Sequence, residues 1–185
     1  MDEGLMPKSN GNGQSIILSP QQFKLIQSQL DVRYKCLTSL MYYTGTRISE
    51  CLSIRWNDIV DGIVVIRKST TKGKETTREL PLPPELLAAI NDIPQENNYI
   101  FAGRNGNGHL TRYAVDKKLR QVCEQVGIKG FSTHSFRRTF ITNLARNNVH
   151  TKLIMVCSGH KQMSSVEKYI ETTEEEKMVA VASLW

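Results

Sequence analysis

Long apolar runs are missing from this 185-residue chain. Its apolar runs, such as 63–66 and 153–156, fall far short of the roughly 20 residues a membrane-spanning helix needs, and no segment has the layout of a signal peptide. No membrane partner is expected, and the chain reads as cytoplasmic. Cysteine is scarce as well. Cys36, Cys51, Cys123 and Cys157 show no CxxC spacing, and no His/Cys cluster offers four ligands at zinc-site intervals. The four thiols read as small buried hydrophobes in a reducing compartment. The acids do not gather into the carboxylate cluster of a two-metal nuclease, and no Ser-His-Asp order can be drawn. Neither a metal nor a cofactor is expected, and there is no internal repeat.

What is abundant is positive charge, and it is unevenly placed. The chain carries +6, from 24 Lys and Arg against 18 Asp and Glu. From Glu167 onward five acids face two bases, so residues 1–166 hold 22 bases against 13 acids. A basic body with an acidic tail suits a polyanionic partner, although a solvated surface has the same composition.

With 39% hydrophobic residues the chain can bury one sizeable core. Residues 1–15, with Asn10-Gly11-Asn12-Gly13 and no apolar period, read as a disordered leader or linker. Ser19-Pro20 caps a first helix carrying Phe23, Leu25, Ile26 and Leu30 at helical intervals. A second helix is expected over 34–43, broken at Gly45, then a short one through Glu50, Cys51 and Leu52. The β-branched run 63–66 and the stretch 76–82 form a β-hairpin with lysines at its tip. Pro83-Pro84 starts a helix to about Ile90, and 99–101 make a brief extended piece. Helices follow near 111–126, 134–147, 151–157 and 163–171, with an amphipathic one near 173–184. The fold class is α+β, mainly helical, with one small antiparallel β-sheet (hairpin about 63–82). The domain is expected over 16–172, with 173–185 as a C-terminal tail helix.

In Thr133-His134-Ser135-Phe136-Arg137 a His and an Arg three apart share a face of the first helical turn and can grip one anion, while Phe136, Phe140, Ile141 and Leu144 anchor the helix and the His134/Arg137 side is expected to stay open. A lone HxxR is common by chance. Here it stands in an ordered set: Thr44-Gly45-Thr46-Arg47-Ile48-Ser49-Glu50, Lys72 in the hairpin, His134-x-x-Arg137, Ser158-Gly159-His160, and Tyr169. Arg138 points about 100° from Arg137 on a helix, toward a DNA backbone or only water. His109 and His150 fit no motif and read as surface residues.

The ordered set resembles the tyrosine recombinase family of phage integrases, transposon integrases and Xer-type recombinases, over roughly Ser19 to Glu171. The resemblance implies the catalytic-domain fold of that family and a site-specific DNA recombinase that cleaves and rejoins strands through a 3′-phosphotyrosyl intermediate. It makes Tyr169 the nucleophile, Arg47 and Arg137 the phosphate clamp, and Lys72 the general acid. His134 assists proton movement at the nucleophile, His160 hydrogen-bonds the phosphate, and Glu50 is an acidic support residue. Lys74 lies on the same hairpin tip and competes with Lys72 for its role.

The chemistry asks for the same residue types. Attack on a phosphodiester builds a five-coordinate, dianion-like phosphorane that fixed cations must neutralise, and guanidinium forks match its non-bridging oxygens. A phenol of pKa about 10 costs roughly 4 kcal/mol to ionise at pH 7, which local positive charge reduces. The tyrosyl ester keeps the energy of the backbone bond, so a free 5′-hydroxyl can reverse the attack without ATP.

The resemblance further implies double-stranded DNA as partner and a homotetramer on DNA in the full-length enzyme, with accessory DNA-bending proteins. It suggests that the tail helix docks in trans, although it can also cover its own core. Relatives carry an N-terminal core-binding domain that residues 1–18 cannot supply, so the chain reads as a fragment. Two rival readings stand beside this one: type IB topoisomerase-like DNA relaxation, and a non-catalytic DNA-binding module in which 134–157 form a helix-turn-helix around Asn147-Asn148.

Overall fold

The computed structural model describes residues 14–70, 77–104, 108–167, 169, 178, 181 and 182. Helix α1 (Pro20–Ser28) starts in a reciprocal capping box, with Ser19 Oγ accepting from the Gln22 N–H and Gln22 Oε1 accepting from the Ser19 N–H. Helix α2 (Val32–Thr44) is capped by Asp31, whose carboxylate accepts the Tyr34 N–H at 3.0 Å, and it begins two residues before the apolar period announces it. Helix α3 (Ile48–Leu52) follows after Gly45.

The sheet has three antiparallel strands rather than two: β1 (Ile59–Val60), β2 (Ile63–Ile66) and β3 (Arg78–Pro81), in the order β1-β2-β3. The hairpin expected over 63–82 is β2 with β3, registered Val64↔Leu80 and Ile66↔Arg78. The unforeseen strand joins through a two-residue turn, Asp61-Gly62, both with positive φ. A 3-10 turn, Trp56–Asp58, leads into it. Buried Asp58 holds this corner, accepting the Arg55 N–H at 2.9 Å and the Arg67 side chain.

Helix α4 (Pro84–Asn91) packs beside α2, and α5 (Arg112–Gln125) starts at a Thr111 cap, within a residue of the expected span. Helix α6 (His134–Arg146) crosses α2, and α7 (Thr151–Ser158) and α8 (Ser164–Glu167) close the described chain. The expected helix 163–171 is described only as far as Glu167, with Tyr169 just beyond. The expected tail helix over 173–184 lies almost wholly outside the described residues.

Two apolar clusters hold these elements. The large one joins α1 to α5 and the sheet, with Phe136 of α6 at its centre. Phe23 stacks on Tyr42 with ring centroids 3.9 Å apart, and Phe136 meets Phe23 edge-on at 6.2 Å. The small cluster buries Ile141, Ile154 and Val166 between α6, α7 and α8, with Tyr169 packed against it.

Residues 1–13 of the expected leader lie outside the described residues, but Ser15 belongs to the packed body. It is buried, its hydroxyl lies 2.6 Å from that of Ser132, and its carbonyl accepts from Arg138. Arg138 thus points into a protein contact rather than toward DNA or water. A helix face 100° from Arg137 is still an inner face where a chain terminus crosses it.

Candidate active site

The site forms where the C-terminus of α2, the N-termini of α3 and α6, strand β3 and the C-terminus of α7 converge. Gly45 ends α2 in the left-handed conformation (φ 62°), and a Cβ there would lie 2.3 Å from Cδ1 of Phe140. The TGTR glycine is therefore required by conformation and by the close approach of α6. This turn aims the Gly45 carbonyl at Arg137, whose Nη1 donates to it at 2.8 Å.

Arg47 stands at the cap of α3. Its backbone N–H donates to Glu50 Oε2 at 2.9 Å and its Nη1 to Oε1 at 2.8 Å. Glu50 is fully buried and serves a second guanidinium, since Arg78 Nη2 donates to Oε2 at 2.7 Å. Burial alone would raise the Glu50 carboxyl, but the charge of Arg78 and the hydrogen bonds and charge of Arg47 outweigh it and hold the pKa below its ordinary value. Arg78 alternates with Leu80 on the inward face of β3. Its Nη1 also donates to the Cys157 carbonyl at 3.1 Å, and its guanidinium fills the space where a Gly159 Cβ would sit, 2.8 Å from Nη1. Gly159 caps α7 with φ 68°, so the SGH glycine, like that of TGTR, is fixed by what packs on it.

Arg137 is the largest fully buried side chain among the described residues. The expectation that its side of α6 stays open holds for exposed His134 but not for Arg137 itself. Burial and then Arg47 pull its pKa down to about 9, against the opposing pull of Glu50 and Tyr169, which leaves it a cation at neutral pH. Its Nε has no hydrogen-bond partner among the described residues. Two guanidiniums here bond one carboxylate and a third, Arg137, lies within its field, and a buried donor without a partner in such a place fits an incoming anion.

A small cleft of about 130 Å³ opens in front of this group, lined by Thr46, Arg47, Ile48, Ser49, Arg112, Thr133, His134 and Arg137. Arg112, the first residue of α5, was not singled out by its sequence pattern. Neither was Arg78, although its place in the alternation Arg78, Leu80, Leu82 put a charge on a core face and so signalled a buried partner. His160 lies behind Arg137, with Nδ1 and Nε2 at 3.4 and 3.3 Å from Nη2. Burial and the charges of Arg137, Arg47, His134 and Arg78 lower its pKa to about 4. The Tyr169 ring is half-buried with its centroid 6.4 Å from that of His160.

The structure thus brings together Arg47, Glu50, His134, Arg137, His160 and Tyr169, while Lys72 and its competitor Lys74 lie outside the described residues. Elsewhere, His150 caps α7 and His109 meets the Tyr99 ring edge-on. All four cysteines are free, and burial raises every thiol, Cys36 to about 11 and Cys123 to about 12. That fits inert, packed groups. Among the described residues no helix is long and apolar enough to cross a membrane.

Comparison with known proteins gives the same direction. Residues 17–176 match the phage integrase family model. A tyrosine recombinase of Thermosipho africanus is 31% identical over 156 residues, covering 83% of this chain and 55% of the relative. The tyrosine recombinase XerD of Lacticaseibacillus casei is 26% identical, covering 82% and 54%. The chain spans a little over half the length of these curated relatives. Among solved structures, the Tn1549 transposon integrase in complex with transposon right end DNA superposes with a TM-score of 0.79 at 18% identity, over 92% of this chain and 66% of that one. The XerA recombinase gives 0.73 at 19%, over 92% and 65%. These two share the fold. From the family match over most of its length, this chain belongs to the phage integrase family, the tyrosine recombinases.

Proposed function

We propose that this chain is the catalytic part of a site-specific DNA recombinase that cleaves and rejoins strands through a 3′-phosphotyrosyl bond on Tyr169. The observation that carries the reading is the guanidinium group around the cleft: Arg47 fixed by Glu50, Arg78 fixing Glu50 in turn, and Arg137 buried with an unpartnered Nε. Arg47 and Arg137 hold the non-bridging oxygens of the scissile phosphate, and side-chain cations take the place a metal ion has in other phosphoryl-transfer sites. The Tyr169 phenol oxygen attacks phosphorus, with His134 assisting removal of its proton. The bond from phosphorus to O5′ breaks, and Lys72 protonates the leaving oxygen. A second strand's 5′-hydroxyl reverses the sequence.

On this reading the partner is double-stranded DNA, the working form of the full-length enzyme is a homotetramer on DNA with accessory DNA-bending proteins, and the protein acts in the cytoplasm. Residues 173–185 are the segment for docking in trans. The family match does not favour topoisomerase-like relaxation, and a purely binding role leaves Arg47 and Tyr169 unexplained.

The test is a duplex carrying the recombination site with a nick just downstream of the scissile phosphate, so that the released strand end diffuses away. The chain is expected to accumulate a denaturant-resistant adduct with this DNA, and Tyr169→Phe to form none. An adduct formed by the Phe variant at the wild-type rate contradicts the assignment.

A further inference from the structure

The carbonyl groups of a last helical turn have no partner within their own helix. In α7 the Met155 carbonyl accepts the N–H groups of Gly159 and His160, at 2.7 and 3.1 Å, and the Cys157 carbonyl is met from another element. Its donor is Nη1 of Arg78, 3.1 Å away on strand β3 and 79 residues earlier in the chain. A cation at this end of a helix is favoured by the dipole as well as by the hydrogen bond. The second arm of the same fork points to the phosphate seat, where Nη2 donates to Glu50 Oε2 at 2.7 Å. The other oxygen of Glu50 accepts from Arg47 Nη1 at 2.8 Å. The Gly159 turn lies on the face of the fork, since a Cβ there would stand 2.8, 2.9 and 3.0 Å from Nη1, Cζ and Nε. One buried guanidinium thus touches both the carboxylate behind Arg47 and the turn that leads into His160.

We infer that Arg78 is a positioning residue that locks the turn carrying His160 to the carboxylate that holds Arg47, fixing the spacing between two expected phosphate ligands from different elements. The His160 ring goes where this turn goes. It follows Gly159 directly, and its Nδ1 lies 2.8 Å from the hydroxyl oxygen of Ser158 in the same turn. The buried apolar residue of α7, Ile154, belongs to the small cluster, and toward the large core the helix offers the partly buried Cys157. The polar tie from β3 therefore has a register to set.

Arginine suits this place and lysine does not. The fork presents donors in two fixed directions within one plane, whereas an ammonium is a point charge on a flexible stem. Arg78→Lys therefore keeps a cation for Glu50 and loses the second arm to the Cys157 carbonyl, which separates the tether from the ion pair. This deepens the proposed reaction and rests on that reading only for its catalytic meaning, because the tether itself can be observed without DNA. It acts through the residues that meet the phosphate, as outer hydrogen-bond partners orient the ligands of other sites.

The test joins NMR of the 185-residue chain without DNA to single-turnover adduct formation on the nicked duplex at saturating protein. In the wild type the Arg78 side chain, assigned through its own backbone, is expected to give separate, slowly exchanging Nη1 and Nη2 signals. One averaged signal exchanging like that of an exposed arginine overturns the inference, whether or not any variant folds. Arg78→Lys is expected to speed amide exchange at Gly159 and His160 about tenfold, the scale of one lost hydrogen bond at a charged group, with α3 near wild type. Unchanged exchange at those two amides, or equal acceleration in α3, overturns it. With DNA, Arg78→Lys is expected to slow adduct formation about tenfold at little-changed DNA affinity, and by less than about twofold in a His160→Gln background, where the turn has no imidazole to place. A wild-type rate in Arg78→Lys overturns the inference, and so does a full further loss in the His160→Gln background. If the wild type forms no adduct while the NMR results hold, the Tyr169 reaction fails and the tether stands.

Discussion

The two halves of the candidate site rest on different foundations. The arginine half, Arg47, Glu50, Arg78 and Arg137, is set into the large core, and every member is tied to another or to a backbone carbonyl of a different element. The tyrosine half hangs from α7 and α8, whose buried apolar contact is three residues, Ile141, Ile154 and Val166. The proposed phosphate seat is thus preorganised by largely buried ion pairs, where electrostatics are strong and one lost partner is expensive. Tyr169, the proposed nucleophile, packs against a satellite cluster, where local opening is expected to cost less free energy than global unfolding.

The strongest way to break the comparison is to remove the shared carboxylate. Glu50→Ala leaves Arg78 buried without its partner and is expected to destabilise the chain by about 3–5 kcal/mol in urea unfolding. The pH dependence should have a definite sign. The folded Glu50 pKa lies below the ordinary value of 4.5, so its contribution is fully present above that value and is lost as pH falls through the folded pKa. Glu50→Gln should therefore flatten the acid limb of the stability profile while leaving its neutral slope unchanged. A wild-type-like acid limb in Glu50→Gln would remove Glu50 as its source.

The complementary cut is in the small cluster. Ile154 is fully buried, and Ile154→Ala is expected to cost about 2–4 kcal/mol. The loss should be local. Amide hydrogen exchange should speed up in α7 and α8 and stay near wild type in α2 and α3, whereas uniform acceleration would show one cooperative unit. The smallest effect is expected from Arg138→Ala, about 1 kcal/mol for a side chain bonded to the Ser15 carbonyl. It should leave the salt dependence of DNA binding unchanged. A salt slope reduced by about one phosphate contact would instead return Arg138 to the DNA surface.

The motif residues were legible because their spacing is tied to chemistry and to backbone form at once. Gly45 and Gly159 each serve a left-handed cap and a close approach, which is why TGTR and SGH can be read as short words. The helix starts at Pro20, Arg112 and His134 were readable from caps and apolar period. The third strand was not, although Asp61-Gly62 between β-branched residues is a strong hairpin signal, because β1 is two residues long and shows no alternation of its own. Arg78 escaped because a lone arginine in a strand looks like surface, and only the buried Glu50 across the fold explains it. Arg137 is buried where its helix face reads as open, since helical periodicity places a side chain on a face and cannot say which elements pack over that face. Arg112 belongs to no motif, and it lines the cleft from the first turn of α5.

The most direct measurement is the position and polarity of the covalent bond to DNA. After trapping on a nicked duplex, proteolysis and mass spectrometry should place the nucleotide on the peptide containing Tyr169, and the released strand should carry a free 5′-hydroxyl that polynucleotide kinase can phosphorylate. A link at any other side chain, or a released 3′-hydroxyl with the protein on a 5′-phosphate, would contradict the assignment of Tyr169 as the nucleophile beside the arginine seat.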